Sequence, residues 1–168
     1  MPLNLLKKYN QLLDIFSLNE MQREKSLRLV FNRDIVNNSS FTFCSKKINP
    51  TPAEGQDSME RLFTHLTSTV TDSIINKREF CTMRSIRLHW IKFHIDQSKK
   101  DNMFVFSVAE PSGNRTYIYD KDEYYVIVLE PMRKKDEYYL LTAYLIEGKD
   151  KAREKMMKKY SKRLPTVL

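Results

Sequence analysis

The chain has 168 residues, a formal net charge of +8 and 41% hydrophobic residues, which suits one domain with a full core. No apolar run reaches the roughly 18–20 residues of a membrane-spanning helix, and residues 1–16 lack the apolar block and cleavage site of a secretion signal. Cys44 and Cys81 lie too far apart in sequence to suggest a disulfide framework or a metal cluster, so a cytoplasmic chain with reduced thiols and no membrane contact is expected. In chain order, residues 3–16 read as a helix with Leu3, Leu6, Leu13 and Phe16 on one side, and residues 20–31 as a second, with Asn19 or Ser17 at the junction. Residues 32–40 are a polar break, residues 41–44 a short strand, and Pro50, Pro52 and Gly55 a loop. Asp57 or Ser58 caps a helix carrying Met59, Leu62, Phe63 and Leu66 at helical spacing. Residues 67–80 are rich in Ser, Thr and Asn without a clear period and read as a mobile connection. A central helix follows over residues 82–97, with Leu88, Ile91 and Ile95 on one stripe and Ile86, Trp90 and Phe93 on another.

Beyond residue 101 the period becomes alternating. Strands are expected at residues 103–109, 115–119, 124–129 and 137–146, joined by short turns into an antiparallel meander. In the last strand, Tyr139, Leu141, Ala143 and Leu145 are expected to face the helices, and Thr142 and Tyr144 to share the other face. A lysine-rich helix then runs from Gly148 to about Arg163. The predicted fold class is α+β, with N-terminal helices packed on a four-stranded antiparallel meander sheet and a basic C-terminal helix. Residues 1–40 would form a helical arm and residues 41–168 the main domain.

The positive charge is concentrated. Residues 148–168 carry eight Lys or Arg against Asp150 and Glu154, which leaves only +2 for the remainder of the chain. Such a tail favours a nucleic acid, an acidic protein or an anionic surface. The central helix keeps Arg84, Arg87, His89, Lys92 and His94 among large apolar residues, a pattern suited to the wall of a polyanion site. Three glycines leave no P-loop or dinucleotide loop, no Gly-x-Ser-x-Gly elbow occurs, and no His, Cys or Asp cluster has metal-ligand spacing, so neither a metal nor a cofactor is expected.

Four pieces carry a family resemblance: Phe41-Thr42-Phe43-Cys44, Asp57-Ser58-Met59-Glu60-Arg61-Leu62-Phe63-Thr64-His65-Leu66, Arg84-Ser85-Ile86-Arg87-Leu88-His89-Trp90-Ile91 and Tyr139-Leu140-Leu141-Thr142-Ala143-Tyr144. Together they resemble the phage nuclease-like families of the barnase/EndoU/colicin/RelE group over about residues 40–160. Members of that group are mostly metal-independent ribonucleases, so the resemblance implies a small endoribonuclease, a toxin or phage effector, acting on RNA such as tRNA. It also implies an acidic antitoxin or immunity protein as a partner.

Metal-independent RNA cleavage needs a base for the ribose 2′-OH, an acid for the leaving 5′-oxygen and cations for the phosphorane. His89 is the first candidate for acid or base, against an ordinary surface or core histidine. Arg84 and Arg87 are candidates for the phosphate, against ion pairs with Glu110, Glu123 or Glu130. Thr142 and Tyr144 would line the site. Lys92, His94 and Arg115 would add contacts to the nucleic acid, and Lys155, Lys158 and Lys159 generic phosphate contacts. His65 reads as a helix-surface residue unless the fold brings it to a cleft. The alternative function is a non-catalytic nucleic-acid- or partner-binding module on the same fold.

Overall fold

A computed structural model describes residues 3–148 and 150–168; Met1, Pro2 and Lys149 of the basic tail lie outside them. Its helices are α1 (Glu20–Phe31), α2 (Ser58–Thr67), α3 (Thr82–Ser85), α4 (Trp90–Ile95) and α5 (Asp150–Ser161). Its strands are β1 (Thr42–Phe43), β2 (Lys46–Pro50), β3 (Ser68–Asp72), β4 (Lys77–Phe80), β5 (Met103–Glu110), β6 (Gly113–Asp120), β7 (Tyr125–Pro131) and β8 (Tyr138–Leu145). Among the described residues no helix is long and apolar enough to cross a membrane.

The expected four-stranded meander is corrected. β5 to β8 do pair antiparallel, but they are part of a six-stranded mixed sheet in the order β1-β2-β8-β7-β6-β5. The two added strands precede the meander in sequence, and β2 joins β8 in parallel, with Ile48 opposite Tyr138 and Pro50 opposite Leu140. That pairing spans most of the chain, and a parallel neighbour leaves no hairpin turn for a sequence reader to find. Nor do helices precede all the strands: β1 to β4 lie between α1 and α3.

Three local expectations also change. Residues 3–16 do not form a helix; after a 3₁₀ turn at Leu3–Leu6 the chain runs irregularly, with Asn10 at φ 60°. Leu13 and Ile15 are buried while Leu3, Leu6 and Phe16 face solvent, and the Leu13 amide donates to the Ile86 carbonyl at 2.9 Å. Residues 67–80 are not a mobile connection but the β3–β4 hairpin, where Thr and Val favour extended backbone. The central helix is broken into α3 and α4. Between them the amides of Arg87, Leu88, Trp90 and Ile91 bond carbonyls three residues back, the tight 3₁₀ pattern.

Where local signals are strong, residues form the expected element. The Asn19 side chain accepts from the Gln22 amide at 2.9 Å while Gln22 returns a bond to the Asn19 amide, a full capping box on α1. Asn19→Ala removes this cap, and a loss of about 1 kcal/mol is expected in urea unfolding. Asp57 caps α2 through the Met59 and Glu60 amides.

The sheet separates two cores. Its inner face (Ile118, Tyr125, Ile127, Leu129, Tyr138, Leu140 and Ala143) packs on Trp90, Leu88 and Ile91 together with Leu13, Ile15 and Leu27 from the first forty residues. Its outer face (Phe106, Tyr117, Tyr119, Val126 and Val128) is covered by α5 through Met156 and Tyr160. The alternation expected in β8 is overturned by a bulge. Thr142 pairs with Val128 but Leu140 pairs with Leu129, so Leu141 is an extra residue. Tyr138 and Leu140 therefore face inward below the bulge, Ala143 above it, and Leu141 packs outside.

Candidate active site

Because β2 pairs only with Tyr138–Leu140, the upper half of β8 has no strand neighbour on that side. α2 and α3 border this open edge. Thr142 lies opposite Val128 of the outer cluster, and Tyr144 packs against that cluster, so both point outward. Arg84, the third residue of α3, reaches the edge. Its Nη1 donates to Thr142 Oγ1 at 3.2 Å and to the His65 carbonyl at 3.1 Å, and its guanidinium lies 5.7 Å from the Tyr144 ring centre.

His65 sits in the last turn of α2. Arg78 of β4 donates to the same His65 carbonyl at 3.5 Å and to Ser68 Oγ and O at 2.9 and 3.0 Å. Arg61, one turn earlier on α2, holds Thr51 Oγ1 at 2.9 Å. The His65 ring makes no hydrogen bond among the described residues. Burial pushes its pKa down to about 4, with the Arg78, Arg61 and Arg84 charges adding to the shift. Burial, then Arg84 and Arg61, also lowers the pKa of Arg78. The outcome is a neutral imidazole among three half-buried guanidiniums.

None of Arg61, Arg78, Arg84 and Arg87 forms an ion pair among the described residues. Of the carboxylates weighed as partners, Glu110 is engaged with Lys159 and Tyr117 and Glu130 with Arg115 at 2.6 Å, while Glu123 acts on Arg87 only through its charge, without an ion pair among the described residues. Half-buried guanidiniums held by neutral oxygens keep their charge available to an outside anion. Arg87 bonds the Met83 carbonyl at 2.8 Å and lies 5.2 Å from the Trp90 ring centre, and its buried Nε has no partner. Burial also lowers its pKa. Tyr144, whose pKa is raised chiefly by burial, keeps its proton at neutral pH.

Comparison with family models, with curated proteins and with solved structures returns no match. The chemistry of the site therefore rests on its own geometry.

The structure brings Arg84, Thr142 and Tyr144 together and leaves His89 apart from them. His89 is buried beneath the N-terminal segment, its Nε2 bonded to the Lys8 carbonyl at 3.2 Å and its Nδ1 without a partner. Its pKa is lowered, chiefly by burial. His94 is buried too, between the Trp90 carbonyl at 2.7 Å and Asp120 at 2.9 Å. Lys92 pairs with Asp96, and Arg115 with Glu130. Lys155, Lys158 and Lys159 stand on α5, where Lys159 binds Glu110.

Sequence reasoning placed His65 on a helix surface unless the fold brought it to a cleft, and gave Arg61 and Arg78 no role; the structure groups the three near Arg84. Arg78 lay in the stretch read as a mobile connection, and only the β3–β4 hairpin turns it back toward α2. For His65 a signal was present. It ends an amphipathic helix beside Leu66 and belongs to one of the runs that carry the family resemblance.

Proposed function

We propose that the chain is a small metal-independent endoribonuclease with its site at the open edge of β8. One observation carries the reading: a neutral, unbonded histidine lies among arginines that have no carboxylate partner among the described residues. In this reading His65 takes the proton from a ribose 2′-OH. The 2′-oxygen attacks phosphorus, the bond to the 5′-oxygen breaks, and Tyr144 supplies the proton to that oxygen. Products are a 2′,3′-cyclic phosphate and a free 5′-OH. Arg84 and Arg78 hold the non-bridging oxygens, whose charge grows in the transition state, while Thr142 fixes the Arg84 fork.

A second reading is a binding module without catalysis. It is favoured by a groove of about 410 Å³ lined by Lys155, Lys158 and Lys162 of the C-terminal region, which offers phosphate contacts and whose Glu110 is paired with Lys159.

The test is incubation of total RNA and tRNA with purified protein in EDTA, beside Arg84→Gln. Discrete products with cyclic phosphate ends, reduced about 100-fold or more in the variant, support the nuclease. Intact RNA in every lane, with salt-sensitive binding, overturns cleavage and favours the binding module.

A further inference from the structure

The outer face holds a second feature that the proposed chemistry does not use. Between α5 and the ends of β6 and β7 lies a groove of about 510 Å³, a volume suited to a small organic ligand. Its wall is aromatic, with Tyr119 and Tyr124, and Met157 closes it from α5. Arg153 sits over the Tyr124 ring, its guanidinium carbon 3.7 Å from the ring centre. The Arg153 Nε is buried without a hydrogen-bond partner, and Arg153 forms no ion pair among the described residues. Lys121 and Lys158 supply positive charge to the lining, while Asp150 and Glu154 supply acceptors.

We infer that this groove is a nucleotide subsite. A planar base would stack beside the arginine–tyrosine pair, its phosphate would meet Lys121 or Lys158, and its amino or ribose hydroxyl donors would face Asp150 and Glu154. The carboxylates argue against a bare phosphate, which offers no donors, and the aromatic wall argues for a ring. Position adds support. Tyr144 pairs with Val126, two residues from Tyr124, and the Ile146 amide donates to the Tyr124 carbonyl at 2.8 Å. Tyr124 and Tyr144 both pack against the outer cluster. Diagonal neighbours of this kind lie about 7–8 Å apart, so a single strand held at Arg84 and Thr142 reaches the groove within a few nucleotides. The inference rests on the nuclease reading for its substrate class, single-stranded RNA.

The test needs no cleavage, so its failure is distinct from failure of the nuclease. The probe is 2-aminopurine riboside 5′-monophosphate, whose fluorescence is quenched on stacking, titrated into the full chain. Saturable quenching is expected in the wild type, with affinity reduced about tenfold in Arg153→Gln. Arg153→Lys keeps the charge but not the planar fork and is expected to lose nearly as much. Met157→Trp, which fills the groove, provides an independent block. Thermal unfolding establishes that each variant is folded. Absence of quenching in the wild type, or equal affinity in folded Arg153→Gln and Met157→Trp, overturns the subsite even if RNA is cut.

Discussion

His65→Gln is expected to lower RNA cleavage in EDTA by about 10²–10⁴-fold while leaving the protein folded, because the substitution removes the base from a half-buried position. The pH profile is the sharper signature. The working form of a general base is the neutral imidazole, which is present above its pKa. Burial and the three arginines push that pKa down to about 4 in the free protein. Accordingly kcat/KM should stay level from pH 8 to about pH 5 and fall only as pH drops through about 4. Once an anionic phosphate lies between Arg78 and Arg84, part of their field is offset and the imidazole is easier to protonate. The inflection in kcat should therefore lie at higher pH than that in kcat/KM. Coincident inflections near the ordinary histidine value, or full activity in His65→Gln, would rule out His65 as the base. His89 provides the contrast. His89→Gln should destabilise the chain through its buried bond to Lys8, while each folded molecule retains cleavage.

The largest stability effect is expected at Asp120. This carboxylate is fully buried and accepts from His94 Nε2 at 2.9 Å, Lys99 Nζ at 2.7 Å, the Tyr9 hydroxyl at 2.5 Å and the Asp122 amide at 3.1 Å. Burial alone would raise its pKa, but the bonds from His94, Lys99 and Tyr9 outweigh burial and hold the carboxyl well below the usual range. Asp120→Ala then leaves buried donors without a counter-charge, and a loss of about 3–5 kcal/mol is expected in urea unfolding at pH 7. The sign with pH follows from the lowered pKa. The wild-type contribution is fully present above the unfolded carboxyl value of about 3.9 and is lost as pH falls toward the folded value. Below pH 4 the gap between wild type and Asp120→Ala should narrow. The exposed Asp122, which shares Lys99, serves as a control, with a much smaller loss expected on substitution. Asp120 also secures the first residues: Tyr9 bonds it while its ring stacks on Phe93 at 4.1 Å, and Trp90 Nε1 donates to the Gln11 carbonyl.

Much of this architecture was legible because local chemistry dictated it. Alternation marked β5 to β8, Asn19 and Asp57 marked helix starts, and the lysine-rich period marked α5. Apart from the local β3–β4 hairpin, the main losses were non-local. β2 was invisible because its partner lies far along the chain and the pairing is parallel. The bulge at Leu141 reversed the facing of β8 from Tyr138 to Leu141 while leaving Thr142, Ala143 and Tyr144 as expected, which strict period-2 reading cannot foresee. The central helix was misread as continuous because nothing in residues 82–97 breaks a helix; tertiary demands, such as the Ile86 carbonyl bonded to Leu13, draw backbone groups out of register. At the site, Arg84, Thr142 and Tyr144 were named from residue type and resemblance and do come together. His65 and Arg78 join them only through the turn between two elements that sequence could not relate.

The parallel pairing of β2 with β8 also sets an order of events during synthesis. Asn49 reaches the Tyr138 carbonyl 89 residues away, and Arg84 meets Thr142 across 58. Contacts of such span form late, after the loops between them have closed at an entropic cost. As the chain leaves the ribosome, α2, the β3–β4 hairpin and α3 are all exposed before β8 exists. If the chain is the ribonuclease proposed above, its phosphate clamp stays incomplete until β8 has been made, so the tethered chain would be inactive beside the cell's densest store of RNA up to that point.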